Sequence, residues 1–273
     1  MIRINGIFVK VGFKKDPLTN KNQKYIILMV TKNELKKAKS LHQKKYRIQE
    51  NSFFVEGQKS IKEFLASPLE LKVLYSEQLE AFGAIKKGVS ITSNELKSIS
   101  ALTHPSGHFA IFSLPEPQNI SFNDFLVGLD SVRDPGNLGT IIRLCDWFGI
   151  RDLVCSKDTV DCFNPKVVQS SMGSLSRVGV HYVDFDNFLA TCPVPVLGAD
   201  MHGTSIYETS IPKQGIWVLG NEANGLSEAT KKRLSQTLSI PRFANTQQTE
   251  SLNVATATAI LLSETRRKAA SEM

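Results

Sequence analysis

No stretch of eighteen apolar residues free of charge occurs in this 273-residue chain, so the sequence offers no membrane-spanning helix. The N-terminus lacks the apolar core and small-residue cleavage site of a secretory signal. Cysteine is scarce. Cys145, Cys155, Cys162 and Cys192 are scattered without a Cys-x-x-Cys pair, which suits a reducing cytoplasm and offers no metal site. Two nucleotide signatures are missing as well. No Gly-x-Gly-x-x-Gly follows the first strand, which disfavours a dinucleotide-binding oxidoreductase, and without a Gly-x-x-x-x-Gly-Lys-[Ser/Thr] run the chain is no P-loop ATPase.

What the chain has in excess is positive charge, a formal +7 at pH 7. A basic protein attracts polyanions in general, so the distribution says more than the total. Between Met29 and Ser60 stand Lys32, Lys36, Lys37, Lys39, Lys44, Lys45, Arg47 and Lys59 against three Glu. Such a run is either a solvated helix face or an RNA-facing patch. Lys36, Lys37, Lys44, Lys45 and Arg47 are the candidates for the second reading.

The first 28 residues hold two apolar runs separated by a polar one, and Met29 then precedes a helix opened by Thr31 with Glu34 three residues on. Residues 1–28 are therefore expected to be an extension, a misassigned start or a disordered tail. From 29 to 114 short strands alternate with helices: strands at 51–56, 71–75, 89–92 and 108–114, helices at 57–65, 77–82 and from Ser93. Pro115, Pro117, Gln118 and Asn119 break the periodicity, so 115–124 reads as a linker. From Phe125 the strands become continuously apolar (FLVGL, DLVCS, VPVLGA, GIWVLG, LSIP) and alternate with helices. That pattern predicts a mostly parallel sheet covered on both faces.

Three segments carry candidate chemistry. In LDSVRDPGNLGTIIRLCDWFGI, Pro135 and Gly136 make a turn, Asn137 is placed to cap the next helix, and Gly139 lets that helix approach a neighbouring backbone. Arg143 stands among Ile141, Ile142 and Leu144, where a buried charge demands a partner; it is either a salt link or a phosphate- or ribose-facing group. In GIWVLGNEANGLS, Gly220 ends a strand where a ligand could lie close to the backbone, and Glu222 either caps Ser227 or the local helix, or orients the arginine. In LSIPRFANTQQTESLNVATATAILLSE, Ser251 is an N-cap or a functional hydroxyl, and Asn253 is the stronger functional candidate. Ala255, Ala257 and Ala259 predict close packing of the last helix on another element or a second subunit.

Together these segments resemble the SpoU, or TrmH, family of RNA ribose 2'-O-methyltransferases within the SPOUT superfamily. The family's Asn-x-Gly-x-x-x-Arg is met by Asn137, Gly139 and Arg143. Its Gly-Asn-Glu-x-x-Gly-[Leu/Ile] loop is met by Gly220, Asn221, Glu222, Gly225 and Leu226, and its Ile-Pro then Ser-Leu-Asn-Val by Ile240, Pro241 and Ser251 to Val254. The stretch KKYRIQENSFFVEGQKSI resembles the opening of the small substrate-binding domain many members carry. One departure stands out. Nine residues, Arg242 to Glu250, separate the Ile-Pro from the serine and contain no glycine, where the family has a shorter loop with one.

The resemblance implies a C-terminal α/β knot at 125–273, a deep trefoil with a mostly parallel sheet, and a smaller N-terminal α/β substrate-binding domain at 29–114. It implies S-adenosylmethionine as cofactor, held near Leu219, Gly220, Asn221, Gly225, Ile240 and Leu252. A homodimer, no metal and a structured RNA substrate belong to the same implication, with ribosomal RNA preferred and transfer RNA the alternative. Arg143, Asn137, Glu222, Ser251 and Asn253 are the implied catalytic residues. An arginine keeps its proton, so Arg143 is expected to stabilise the developing alkoxide more readily than to act as a base. The rival of another class is a non-catalytic RNA-binding protein on the same fold, which would have lost Arg143 or the cofactor loop.

Overall fold

The computed structural model describes residues 2–4, 7–15, 22–28, 30–243 and 251–271, with side chains placed over 30–243 and 251–270. Met29 and most of the long loop flagged above, 244–250, lie outside the described residues. The first 28 residues contain strands β1 (Ile2–Ile4), β2 (Ile7–Lys15) and β3 (Asn22–Leu28), an antiparallel sheet in the order β1-β2-β3. The two apolar runs read there are thus the paired strands β2 and β3. The chain divides into two units, Met1–Pro115 and Glu116–Met273, so the break falls at the head of the proline-interrupted segment.

In the first unit a four-stranded sheet runs in the order β4 (Ser52–Glu56), β7 (His108–Ser113), β5 (Leu71–Ser76), β6 (Gly88–Ser90). Only the β5–β6 pair of this sheet is parallel. Helices α1 (Lys32–Ser40), α2 (Lys44–Gln49), α3 (Gln58–Leu65) and α4 (Ser93–Ile99) cover it. The alternation of Phe53 and Phe54 sends one ring to each face. Phe53 meets Phe64 and Phe112, while Phe54 stacks on Phe109 at 4.6 Å between centroids. Thr31 with Glu34 forms the expected capping box on α1. A second box, Thr92 with Glu95, opens α4, so the cap lies one residue before the expected Ser93. The helix expected at 77–82 is a single 3-10 turn, Leu79–Phe82, closed by Gly83 at a φ of 71°.

The basic patch needs one correction. Lys36, Lys37, Lys44 and Lys45 are exposed, but Arg47 is only 3% exposed and its Nη1 donates to the carbonyls of Leu41 (2.8 Å) and His42 (3.0 Å). Arg47 therefore closes the turn between α1 and α2 and is withdrawn as an RNA contact. The α1 C-terminus leaves carbonyls without helical partners, and a buried guanidinium supplies the donors.

The second unit is a six-stranded, wholly parallel sheet in the order β10-β9-β8-β12-β11-β13. Its strands are β8 (Leu126–Leu129), β9 (Asp152–Ser156), β10 (Gly179–Val183), β11 (Val196–Ser205), β12 (Ile216–Leu219) and β13 (Gln236–Ser239). The helices are α5 (Pro135–Trp147), α6 (Pro165–Ser171), α7 (Phe185–Ala190), α8 (Glu228–Lys231) and α9 (Val254–Ser271). The apolar-run reading missed β10 and α7, because His181 interrupts the apolar run in GVHYV, a half-buried strand at the sheet edge. Gly139 meets its expectation: a Cβ there would stand 2.4 Å from Ser170 Cβ and 2.9 Å from the Val167 carbonyl on α6. Helix α9 lies alongside α5 in the same direction. Asn253 at its start bonds Asn137, and Arg266 near its end donates to the Phe148 carbonyl at 2.8 Å. Thr265 accepts from Trp217 Nε1, and Lys268 donates to the carbonyls of Ile206 and Thr209. No helix among the described residues is long and apolar enough to cross a membrane.

Candidate active site

In an open parallel sheet, ligands bind beyond the carboxyl ends of the strands, where successive connections run to opposite sides. Here that switch lies between β8 and β12. From β8 the chain proceeds outward through β9 and β10, whereas β12, β11 and β13 occupy the other half. The loops leaving β8 and β12 are the first two candidate segments, and the start of α9 is the third.

The loop after β8 is pinned from within. The buried Asp130 accepts the Ser227 N–H at 2.9 Å through Oδ2, and its own N–H donates to the Leu219 carbonyl. Ser131 adopts a φ of 62°, rare for a residue with a side chain, and two bonds hold it there. Its N–H donates to Ser156 Oγ, and its carbonyl accepts from Asn221 Nδ2 at 2.8 Å. Reasoning from motifs overlooked Asp130 and Ser131, although an acid closing an apolar strand was the signal available.

Helix α5 is capped by Asp134, not by Asn137 as expected. Asp134 Oδ1 accepts the Asn137 N–H at 2.8 Å, with Pro135 in the first turn. Asp before Pro at a helix start was the legible signature. Relieved of capping, the Asn137 amide faces the other two segments. Its Nδ2 donates to Glu222 Oε1 at 2.7 Å, and its Oδ1 accepts from Asn253 Nδ2 at 2.8 Å. Asn253 Oδ1 in turn accepts the N–H groups of Ala255 and Thr256, so Asn253 is the N-cap of α9 and Ser251 is not. One amide thus joins residues 116 positions apart in the chain. Donor and acceptor ends are assigned by their partners, so the Asn137 side chain has a single orientation here.

The turn after β12 is equally closed. Asn221 and Gly225 exchange both backbone hydrogen bonds, 3.0 and 2.8 Å, and Asn221 Oδ1 accepts from Ala223 and Asn224. Gly220 was expected to let a ligand approach the backbone. Within the turn its own return segment comes close, since a Cβ on Gly220 would fall 2.2 Å from the Gly225 carbonyl carbon. The peptide groups of Asn221 and Gly225 satisfy each other and set the loop's shape. Of the other expected cofactor residues, Leu219 is buried, Ile240 is half-buried after β13, and Leu252 is 48% exposed before α9.

Of the two readings of Arg143, the structure shows no salt link among the described residues, and the burial expected from its isoleucine neighbours is not found. Arg143 is exposed, sharing one face of α5 with Thr140 and Trp147, so no desolvation cost demands a partner. Among the described residues it has no hydrogen bond or ion pair, and Glu222 bonds Asn137 rather than the arginine. Six residues along the helix place Arg143 about 9 Å beyond Asn137. Ser251 is exposed too. The arrangement is a hydrogen-bonded frame with the exposed Arg143 beside it.

Comparison with known proteins decides what such a frame belongs to. Residues 124–263 match the model of the SpoU rRNA Methylase family, and residues 32–110 match the MRM3-like substrate binding domain. The chain belongs to the SpoU rRNA methylase family. Within that family it is 31% identical over 240 residues to the 23S rRNA (guanosine(2553)-2'-O)-methyltransferase RlmP of Bacillus subtilis, covering 84% of this chain and 94% of that protein. A TrmH-family protein of Porphyromonas gingivalis superposes with a TM-score of 0.80 at 38% identity, over 88% of this chain and 99% of the other. An AdoMet-bound rRNA methyltransferase of Sinorhizobium meliloti gives 0.77 at 28% identity, over 87% and 95%. SpoU members therefore account for both units, and the family-model match begins after the three N-terminal strands.

Proposed function

We propose that the chain transfers a methyl group from S-adenosylmethionine to a ribose 2'-hydroxyl of ribosomal RNA. The observation that carries this reading is the Glu222–Asn137–Asn253 relay. It draws the family's three motifs into one frame at the sheet's switch point, and on the adjoining helix face Arg143 has no hydrogen bond or ion pair among the described residues. Relatives named as ribosomal 2'-O-methyltransferases, the Bacillus protein matched over nearly its whole length, favour ribosomal over transfer RNA.

The residues present fit the cofactor. Ile240 and Leu252 leave aliphatic surface accessible at the carboxyl edge of the sheet, and the closed 220–225 turn gives that edge a fixed wall. When bound, S-adenosylmethionine supplies an electrophilic methyl on a sulfonium. The chain's own residues then orient and neutralise. Arg143 meets the 2'-hydroxyl and an adjoining phosphate, and its fixed positive charge stabilises the oxygen as its proton passes to a solvent water. Asn137, Glu222 and Asn253 hold the helix starts that aim Arg143, and Ser251 lies within the same segment as a ribose contact. Holding both reactants in line removes much of the barrier by orientation alone.

The same reading includes a trefoil knot, a homodimer and a cytoplasmic location. Supporting the knot, β13 is an edge strand, yet α9 begins beside the helix that follows β8, on the far side of β11 and β12 from it. Trp147, 84% exposed on α5, supports a partner subunit covering that face. The test is Arg143→Ala. Methylation of ribosomal RNA should fall at least about a hundredfold, with S-adenosylmethionine binding by calorimetry retained. Undiminished turnover would overturn the assignment.

A further inference from the structure

The first unit contains a polar cavity of about 330 Å³ lined by Glu77, Gln78, Pro105, Ser106, Gly107 and His108. Its size is at the lower end for small-ligand sites. Neither the basic patch nor the methyl-transfer frame uses it. It lies where the end of β5 meets the turn entering β7, within the segment matched as a substrate binding domain.

Its hydrogen-bonding character can be worked out. Ser76 Oγ accepts the Gln78 N–H at 2.9 Å and stands 2.8 Å from His108 Nδ1. With the hydroxyl proton directed to Nδ1, the ring carries its own N–H on Nε2. His108 is 8% exposed, and burial holds its imidazole below the usual pKa against the opposing pull of Glu77, so the ring is neutral at pH 7. Phe82 braces it edge-on, centroids 5.0 Å apart. Beside it, the Glu77 backbone N–H donates to the Gly107 carbonyl at 3.0 Å, and its Oε1 accepts from Ser93. Gly107 has a φ of 85°, and a Cβ on it would come 3.1 Å from Glu77 Oε2, so the carboxylate lies over bare backbone. The exposed Lys62 sits 5.9 Å from the Phe82 ring centre. The cavity thus offers a carboxylate acceptor next to an imidazole N–H donor, with a cation close by.

A carboxylate repels phosphate but accepts base N–H groups. Guanine alone among the four bases presents two adjacent donors, N1–H and the N2 amino group, next to an acceptor, O6. Single-stranded RNA exposes this edge, and sequence-specific proteins read it there. We propose that this cavity receives one unpaired guanine of the RNA substrate, with Glu77 accepting from N1 and N2 and His108 Nε2 donating to O6. Lys62 then meets the neighbouring phosphate. This inference rests on the chain being an RNA-modifying enzyme and adds which nucleotide its substrate-binding unit recognises.

Fluorescein-labelled hexaribonucleotides UUGUUU, UUIUUU (inosine lacks the N2 amino group) and UUAUUU, titrated into the full chain at one salt concentration, test it by anisotropy. UUGUUU should bind about tenfold more tightly than either of the others, and Glu77→Gln should erase the difference. Equal binding of all three, no binding, or an undiminished preference in Glu77→Gln would overturn the proposal. S-adenosylmethionine calorimetry and ribosomal RNA methylation on the same preparation separate the two readings. Guanine preference without cofactor binding sinks the methyltransferase assignment and keeps the cavity; methylation without guanine preference sinks the cavity alone.

Discussion

Replacing Asn137 by Asp preserves the side chain's shape and removes one donor. In the native frame Asn137 Nδ2 gives a hydrogen bond to Glu222 at 2.7 Å; in Asn137→Asp two carboxylate oxygens confront each other at that distance. Their repulsion costs about 1.5 kcal/mol even at the dielectric constant of water. Loss of a hydrogen bond to a charged acceptor adds about 1.5 kcal/mol, the low end of the range because the pair is exposed. Together, roughly 3 kcal/mol displaces the frame from its assembled geometry, a factor of about a hundred in kcat/KM for RNA methylation. The companion variant Glu222→Gln should lose no more than about fivefold, because its amide oxygen still accepts from Asn137. The double variant, Asn137→Asp with Glu222→Gln, is the decisive member. Its introduced amide donates to its introduced carboxylate, the polarity of the bond is reversed, and activity should return to within about fivefold of Glu222→Gln alone. Methylation kinetics on all four proteins, with thermal melts as a folding control, give the cycle. A double variant no better than Asn137→Asp would show that the relay does not assemble the site.

Charge reversal at Lys36, Lys37, Lys44 and Lys45 should weaken RNA binding and flatten its dependence on salt. Arg47→Ala should instead lower the melting temperature while leaving the salt slope intact; equal slopes for the lysine variant and the native chain would refute the patch. Gly139→Ala forces a Cβ into Ser170 and the Val167 carbonyl, and should cost about 1–3 kcal/mol, seen as a fall in melting temperature of several degrees. No fall would mean that α5 and α6 part easily. For Asp146, burial raises the carboxyl pKa, but the two-pronged bond from Arg177 and a further one from Ser174 outweigh it, holding the group below its usual value. A depressed folded pKa stabilises above the unfolded value, near about 3.9, and that stability disappears as pH falls through the folded one. Asp146→Asn should therefore melt lower than the native chain at neutral pH, by no more than about 1 kcal/mol because the pair is partly exposed. The gap should close in acid; a gap that persists at pH 2 would contradict the ion-pair origin.

Much of this architecture was legible because periodicity and backbone chemistry are local. The apolar runs at Leu126 and Ile216 could only be doubly covered strands, Thr31 with Glu34 could only open a helix, and Gly139 marked a close approach. Roles that depend on where a helix turns its side chains were not legible. Arg143 sits among isoleucines in sequence, yet the helix places it outward and the isoleucines inward. Arg47 fell within a lysine-rich run and was read by composition, whereas its helix turns it into the α1–α2 corner. Asn137 lost its cap role to Asp134 because Pro135 fixes the first turn earlier than glycine spacing implied. The relay itself spans loops far apart in sequence, and no spacing rule connects them.

The convergence of α5 and α9 has an electrostatic side. Both helices point their amino ends at the Asn137–Asn253 contact, so two partial positive poles are brought together, which by itself is unfavourable. Asp134, which caps α5, and Glu222, bonded at that junction, are the anions that offset them. Arg143, further along the helix, is exposed and has no ion pair among the described residues. On the proposed reading the frame separates a neutralised corner, which fixes the two helix starts, from a positive rim at Arg143, where the ribose hydroxyl and its phosphate are met. Polyanions such as heparin should therefore compete with RNA at the rim while leaving the corner, and cofactor affinity, untouched.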